Sequence, residues 1–155
     1  MTSDRARIIA PPPLIGIVCI GLAYAAEHYK PLPIFPTKNT PQIVVGIALI
    51  VIAIGSAVSA ARSFIAHGTH PSPYRPTTAI VTTGIYRLSR NPIYIAFLLV
   101  VLAIGLLANS YWFLGFAVFL ALVLHFGVIK REETYLLGKF GDSYRQYCRQ
   151  VRRWI

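Results

Sequence analysis

The longest uncharged stretch of the chain runs from Asn91 to Ile129 and contains no Asp, Glu, Lys or Arg. As one α-helix, its 39 residues would reach roughly 58 Å, about twice the hydrocarbon thickness of a bilayer. Such a run has to fold back on itself. Asn109-Ser110 is the polar pair at its middle, so a tight helical hairpin is expected there. Asn91-Pro92 opens the first arm, with Asn as N-cap and Pro at the first helical position, where a missing N–H costs nothing.

Upstream, Thr40-Pro41 gives the same start signal for a helix over 41–65. Ala53, Ala57 and Ala61 recur every four residues in it, beside Gly55, Ser56 and Ser59. In lipid, small residues let helix backbones approach closely, which predicts a central place for this helix. A first apolar stretch, 14–26, follows Pro11-Pro12-Pro13. With Arg5, Arg7 and Ala23-Tyr24-Ala25 it also has the form of a signal peptide, but it completes the topology when kept as a helix. The fold class expected is therefore all-α, a membrane helical bundle of about four transmembrane helices. It forms one membrane domain over 1–155, with 1–65 as the first two helices and 66–155 as the half that carries the chemistry.

Composition agrees with lipid as the main solvent. Hydrophobic residues make up 55% and charged residues 13%, too few charges to solvate a soluble globule of this size. The net charge of +10 raises nucleic acid as a partner, yet the basic residues flank apolar runs and form no groove with interleaved aromatics. Under four crossings, Arg5, Arg7, Arg62, Arg75, Arg87, Arg90 and the seven basic residues after Ile129 share one side. That is 13, against only Lys30 and Lys38 (2) on the other. The asymmetry predicts a cell-membrane protein with both termini in the cytoplasm. Cys19 and Cys148 suit no disulfide, and His67 and His70 lack the partners a metal site needs.

After Ile129 the chain turns polar. Gly138 and Gly141 are expected to break it and Asp142 to cap a last helix. In that helix Tyr144, Tyr147, Cys148 and Val151 follow one stripe, opposite Arg145, Arg149, Arg152 and Arg153. This amphipathic segment suits an anionic lipid surface or closure over the bundle.

Two polar blocks remain: G-x-Y-x-x-x-R-N-P-x-Y from Gly84 to Tyr94, and E-E-x-x-L with F-G-x-x-Y-x-x-Y from Glu132 to Tyr147. Singly each has a plain reading as turn, helix start, anchor or solvated step. Together, separated by an apolar hairpin, they make residues 75–155 resemble the isoprenylcysteine carboxyl methyltransferase and phospholipid methyltransferase superfamily, in its short prokaryotic form. The resemblance implies a catalytic C-terminal half that binds S-adenosyl-L-methionine beside the membrane without a Rossmann fold. No G-x-G-x-x-G occurs here. By position, it places cofactor contacts at Thr78, Ala79, Ile80, Val81, Tyr86, Asn91, Pro92, Ile93, Tyr94 and Glu132. A carboxylate such as Glu132 can pair with the donor's cationic centres, tyrosine faces can add to that, and Ala79-Ile80-Val81 can flank the adenosine.

Two departures bear on the acceptor. The family often has His where Asn91 stands. Its prenylcysteine enzymes also place a carboxylate-binding arginine at the position of Val128. Arg131, three residues on, is the candidate to replace it. His125, an ionisable group inside the last membrane helix, and Glu133 are candidates for accepting a proton from an amine or thiol. The function expected is methyl transfer to a lipid-like or small acceptor entering from the bilayer, with no metal. The alternatives are an NADPH-dependent membrane reductase of related architecture and a scaffold that keeps the fold without turnover.

Overall fold

The computed structural model describes residue 6, residues 8–69 and residues 77–155. Among these the protein is all-helical, with six α-helices and no β-strand beyond one isolated bridge between Pro33 and Ser110. Helix α1 spans Pro12–Tyr29, α2 Thr40–Ala66, α3 Pro92–Ala108, α4 Tyr111–Leu124, α5 Lys130–Phe140 and α6 Asp142–Gln150.

The hairpin expected at Asn109-Ser110 joins α3 to α4. Asn109 takes the left-handed conformation (φ 61°, ψ 47°) that asparagine tolerates better than most side chains. Its amide also fastens the α1–α2 connection. Oδ1 accepts from the Phe35 N–H at 3.0 Å and from Gln42 Nε2 at 3.0 Å, and Nδ2 donates to the Phe35 carbonyl at 2.8 Å. Beside it Ser110 donates to Glu27 at 2.6 Å, and the Trp112 indole N–H donates to the Lys30 carbonyl at 2.8 Å. The tip of the hairpin is thus stitched to two other helices by neutral donors and one carboxylate.

Helix α3 occupies the centre, touching α1, α2 and α4. The expected central place for α2 is wrong, because α2 packs along α3 on one narrow stripe. The buried residues are Gln42, Gly46, Ala53, Ala60 and Ser63, while Ala57 and Ala61 face outward. Gly46, Ala53 and Ala60 fall seven apart, the spacing of a seam between two helices. A Cβ at Gly46 would lie 2.9 Å from the Leu107 side chain, so a larger residue would require that side chain to shift. The stripe of four-residue spacing was the wrong choice because every face of α2 holds small residues.

Two caps also differ from expectation. Asn39, not Thr40, caps α2, its Oδ1 accepting the Gln42 N–H at 2.9 Å. Asn91 stands at the N-cap of α3 but makes no cap hydrogen bond.

The outward side of α2 is apolar along its length, with Ile47, Val51, Ile54 and Val58 all exposed. A contiguous apolar patch of that kind fits a helical bundle of the membrane. Among the described residues two helices are long and apolar enough to cross a membrane: α2, and the continuous Tyr111–Phe140 helix that α4 and α5 make together. Helix α3 is shorter and also apolar. The uncharged part of the Tyr111–Phe140 helix ends at Ile129, so the stretch suited to lipid is 111–129.

Helices α4 and α5 run on through a π-helical turn at His125–Ile129, a local widening that often accompanies functional sites. Glycine at 127 admits Ile9 of the N-terminal segment against this turn, where a Cβ would come within 2.3 Å of Ile9 Cδ1. The Ile9 N–H donates to the Gly127 carbonyl at 3.3 Å. Gly138 does not break α5. Only Gly141 does, with a positive φ of 53° that suits glycine. Asp142 accordingly lies in the first turn of α6, paired with Arg145, rather than capping it.

Candidate functional site

A short hairpin returns its arms to the same end, and the open end of this one carries the polar chemistry. Tyr94, in the first turns of α3, donates its hydroxyl to both oxygens of Glu132 in α5, at 2.8 and 2.9 Å. These two residues sit on the wall of a cavity of about 530 Å³, within the range of small-molecule sites. Its far side comes from the irregular 77–83 segment, the single 3₁₀ turn Gly84–Arg87, and the aromatic face of α6. Ala6 and Pro11, Pro12 and Pro13 of the N-terminal segment close one edge.

Eight of the ten expected cofactor contacts line this cavity: Ala79, Ile80, Val81, Tyr86, Asn91, Ile93, Tyr94 and Glu132. The other two do not. The Thr78 hydroxyl donates to the Gly68 carbonyl at 3.4 Å, and Pro92 is packed in the core at the start of α3. The stretch Ala79-Ile80-Val81 is irregular backbone rather than strand. Of the acceptor-side candidates only Glu133 reaches the cavity. Arg131 is exposed on another face of α5. His125 stacks on Trp154 with ring centroids 6.3 Å apart and 20° between planes.

Glu133 is held from two sides. Arg90 approaches one oxygen at 3.0 Å, and Arg153 makes a two-pronged contact at 2.9 and 2.7 Å. Glu133 is thus engaged in two ion pairs, with Arg90 and with Arg153.

The same contacts bring in the C-terminal tail. The Arg90 N–H donates to the Arg152 carbonyl at 3.1 Å, while the Arg153 carbonyl accepts from Ser89 Oγ at 3.3 Å and Asn91 Nδ2 at 2.9 Å. Asn91 spends its side chain on this tether instead of on a helix cap. The tail therefore braces the site, by pairings 62 to 64 residues apart that local sequence could not reveal.

Further lining residues carry no expectation as ligand contacts: Arg90, Tyr135, Tyr144, Tyr147, Phe64 and Phe97. The signal for the two α6 tyrosines lay in their stripe, which turns inward and so takes the second of the two placements open to it, closure over the bundle. The Tyr147 hydroxyl donates to the Tyr86 carbonyl at 2.8 Å, binding α6 to the 3₁₀ turn. Burial pushes the Tyr86, Tyr144 and Tyr147 hydroxyls well above the usual phenol range, so they remain proton donors. Glu132, beyond the lipid-suited stretch, is pushed up to about 7. Burial of its carboxyl raises it, the Tyr94 hydrogen bonds pull it back, and the charge of Glu133 adds to the rise. The two adjacent carboxyls thus differ: Glu133 is paired with cations, and burial holds the Glu132 carboxyl above the usual carboxylate range.

The described residues form an all-helical bundle with long apolar helices and a charged, aromatic cavity at one end. The comparison with known families gives its class. The phospholipid methyltransferase family model matches residues 41–143, about two thirds of the chain, and the chain belongs to that family of methyltransferases. The match begins at α2, which the sequence motifs did not include, and it spans every described lining residue from Phe64 to Glu133. An uncharacterized protein of Haemophilus influenzae is 49% identical over 63 residues, 40% of this chain and 98% of that protein. No solved structure matches.

Proposed function

We propose that the protein transfers a methyl group from S-adenosyl-L-methionine to a lipid-like or small acceptor that enters the cavity from the bilayer. The observation that carries this reading is the Tyr94–Glu132 pair on the wall of a 530 Å³ cavity. The donor set suits the molecule. Glu132 offers a carboxylate for cationic centres, the rings of Tyr86, Tyr144 and Tyr147 offer faces that attract cations, and Ile80, Val81 and Ile93 offer an apolar wall for the adenosine. When bound, the donor supplies an electrophilic methyl on a sulfonium.

The residues of this chain contribute position and dryness. Tyr94 fixes the Glu132 carboxylate by gripping both oxygens. The tail and α6 hold the aromatic wall against the 3₁₀ turn. The apolar lining excludes water, and in such a pocket alignment of the reacting atoms supplies most of the rate. Glu133, clamped by Arg90 and Arg153, holds that wall together. His125 lies outside the cavity, so an acceptor that must lose a proton would have to release it to solvent at the membrane surface. Carboxylate, amine and thiol acceptors all remain within this reading.

The same reading places four crossings in the cell membrane, made by α1 to α4, with the cavity and both termini on the cytoplasmic side. Support comes from the 13-to-2 distribution of basic residues. Calorimetry of the detergent-solubilised protein tests the cofactor. Binding of S-adenosylmethionine and S-adenosylhomocysteine, without binding of NADPH, is expected. Binding of NADPH alone would replace the reading with a reductase. A methyl-transfer assay with labelled donor, run against prenylcysteine analogues, phosphatidylethanolamine and small thiols, then identifies the acceptor. Tight donor binding with no acceptor methylated would favour the scaffold.

A further inference from the structure

One edge of the cavity comes from outside the part of the chain that the family match covers. Ala6, Pro11, Pro12 and Pro13 form it, well ahead of residue 41, where the match begins. Pro12 and Pro13 open α1, and the first turn of a helix ordinarily presents free N–H groups that would hold an anion. Three consecutive prolines carry none, and the Pro11 carbonyl is spent on the Ile15 N–H at 3.1 Å. The side chains on this edge therefore offer hydrocarbon alone, while the polar lining comes from α3, α5 and α6. Beyond the edge, α1 turns an apolar face outward, with Leu14, Ile17 and Val18 exposed. The edge is also fixed in place. Ala6 is buried, and Ile8 packs on the core that includes Leu124 and Val128. The Ile9 N–H donates to the Gly127 carbonyl at 3.3 Å, in the π-helical turn. The Ile9 side chain fills the room that glycine leaves there: a Cβ at 127 would meet its Cδ1 at 2.3 Å and its Cγ1 at 2.8 Å.

We propose that the proline edge is the wall against which the apolar part of the acceptor rests, and that Ile9, seated on Gly127, sets the wall's position and so the size of acceptor admitted. This inference rests on the methyl-transfer reading above. The chemistry divides the cavity: a polar reacting head needs the polar lining, and a wall without donors recognises only hydrocarbon. The wall is stiff, because each proline fixes its φ at about −65°. Ile9 and Gly127 are positioning residues, acting on the ligand through the prolines. Acceptor selectivity is thereby set by a segment that the family match does not reach.

The test is a chain-length profile of methyl transfer by the full-length protein in detergent. N-acetyl-S-alkylcysteines from butyl to hexadecyl, with alkylamines and alkanethiols of the same chains, serve as acceptors for labelled S-adenosylmethionine. Partition into micelles is common to every variant, so it cancels when variants are compared at one chain length. In the intact protein kcat/KM should rise about fourfold per methylene until the chain meets the wall, and then fall. Gly127→Ala, whose methyl displaces Ile9, should move the maximum to longer chains, through KM rather than kcat. Ile9→Ala removes the seated side chain without adding atoms elsewhere and should move the maximum the same way, by less. The double variant should match Ile9→Ala alone, because alanine at 9 leaves room for the new methyl and the two changes act through one contact. Affinity for S-adenosylhomocysteine, measured by calorimetry, should be unchanged in every variant and reports that each is folded. An unmoved maximum in folded Gly127→Ala and Ile9→Ala would overturn the proposal. So would an intact protein whose kcat/KM shows no maximum along the series. Methylation of no acceptor in the series by the intact protein would instead remove the methyl-transfer reading, and this inference with it.

Discussion

The two ends of the α3–α4 hairpin are both polar and both tied to distant parts of the chain, yet they are built on opposite principles. At the tip, Asn109, Ser110, Gln42, Glu27 and Trp112 bond to one another and to backbone carbonyls at short range. The exception is Gln42 Oε1, a neutral acceptor buried between α2 and α3. At the open end Arg90 and Arg153 pair with Glu133 beside a cavity lined by tyrosines, and the orphan is the buried Nε of Arg90. A clasp satisfies its groups with each other. A binding site holds some in reserve. The difference teaches that polarity inside a membrane bundle is not itself a sign of function; polarity left unsatisfied beside a cavity is the better one.

The comparison is broken most directly at Glu132. Glu132→Ala should weaken S-adenosylmethionine by about ten- to a hundredfold, the loss of a charge-assisted contact, with thermal stability little changed. Unchanged affinity in a folded variant would reduce the open end to a second clasp. The pH dependence probes the same residue without mutation. With the empty-site carboxyl near 7, the carboxylate is fully present only above that value. Affinity for the sulfonium-bearing donor should therefore be flat above about pH 8. It should fall as pH drops through 7, approaching tenfold per unit. Calorimetry from pH 5.5 to 8.5 checks it, and a profile flat throughout would put the Glu132 carboxyl in the ordinary carboxylate range.

The tip answers to stability instead. Asn109→Ala removes three hydrogen bonds and places alanine at a positive φ, a combined cost of about 2–4 kcal/mol. Asn109→Gly restores only the backbone freedom and should recover about 1 kcal/mol of it. Both should leave donor affinity unchanged. If Asn109→Ala alters affinity as much as stability, the two ends are coupled through α3 and are not separable structures.

Much of the fold was legible in the sequence because the bilayer imposes a length. A run of uncharged residues twice as long as a crossing must turn, and one polar pair marked the place. The aromatic stripe of α6 was legible for the same kind of reason, a regular period with contrast between faces. Where contrast failed, reading failed: α2 has small residues on every face, so its buried seam at Gly46, Ala53 and Ala60 could not be told from Ala53, Ala57 and Ala61. In the cavity, the residues placed by motif mostly do line it. The bracing ones were not legible. Arg90 and Arg153 each have an ordinary reading as basic anchors at a membrane surface. Only their meeting at Glu133, across 43 and 20 positions respectively, gives them another. The π-helical turn at His125–Ile129 had no local signal among the breakers that usually mark irregular helix, beyond Gly127.

The smallest effect belongs to Tyr94 and is the most discriminating. Its hydroxyl meets both oxygens of Glu132 and lines the cavity, so two roles compete: fixing the carboxylate or touching the ligand. Tyr94→Phe keeps the ring and removes the hydroxyl. Loss of that bond should lower donor affinity only a few-fold at pH 8.5, in keeping with about 1 kcal/mol for one net hydrogen bond. The hydrogen bond pulls the carboxyl down against burial, so removing it must raise the Glu132 midpoint further. The fall in affinity should then begin at higher pH in Tyr94→Phe than in the intact protein, and the two curves should separate most near neutrality. A residue that only filled space would leave the midpoint where it was. One that contacted the ligand alone would shift the whole curve down without moving it sideways. A sideways displacement identifies Tyr94 as the residue that sets the charge of Glu132, and it should disappear when Glu132 is replaced as well, since the two changes act through one carboxyl.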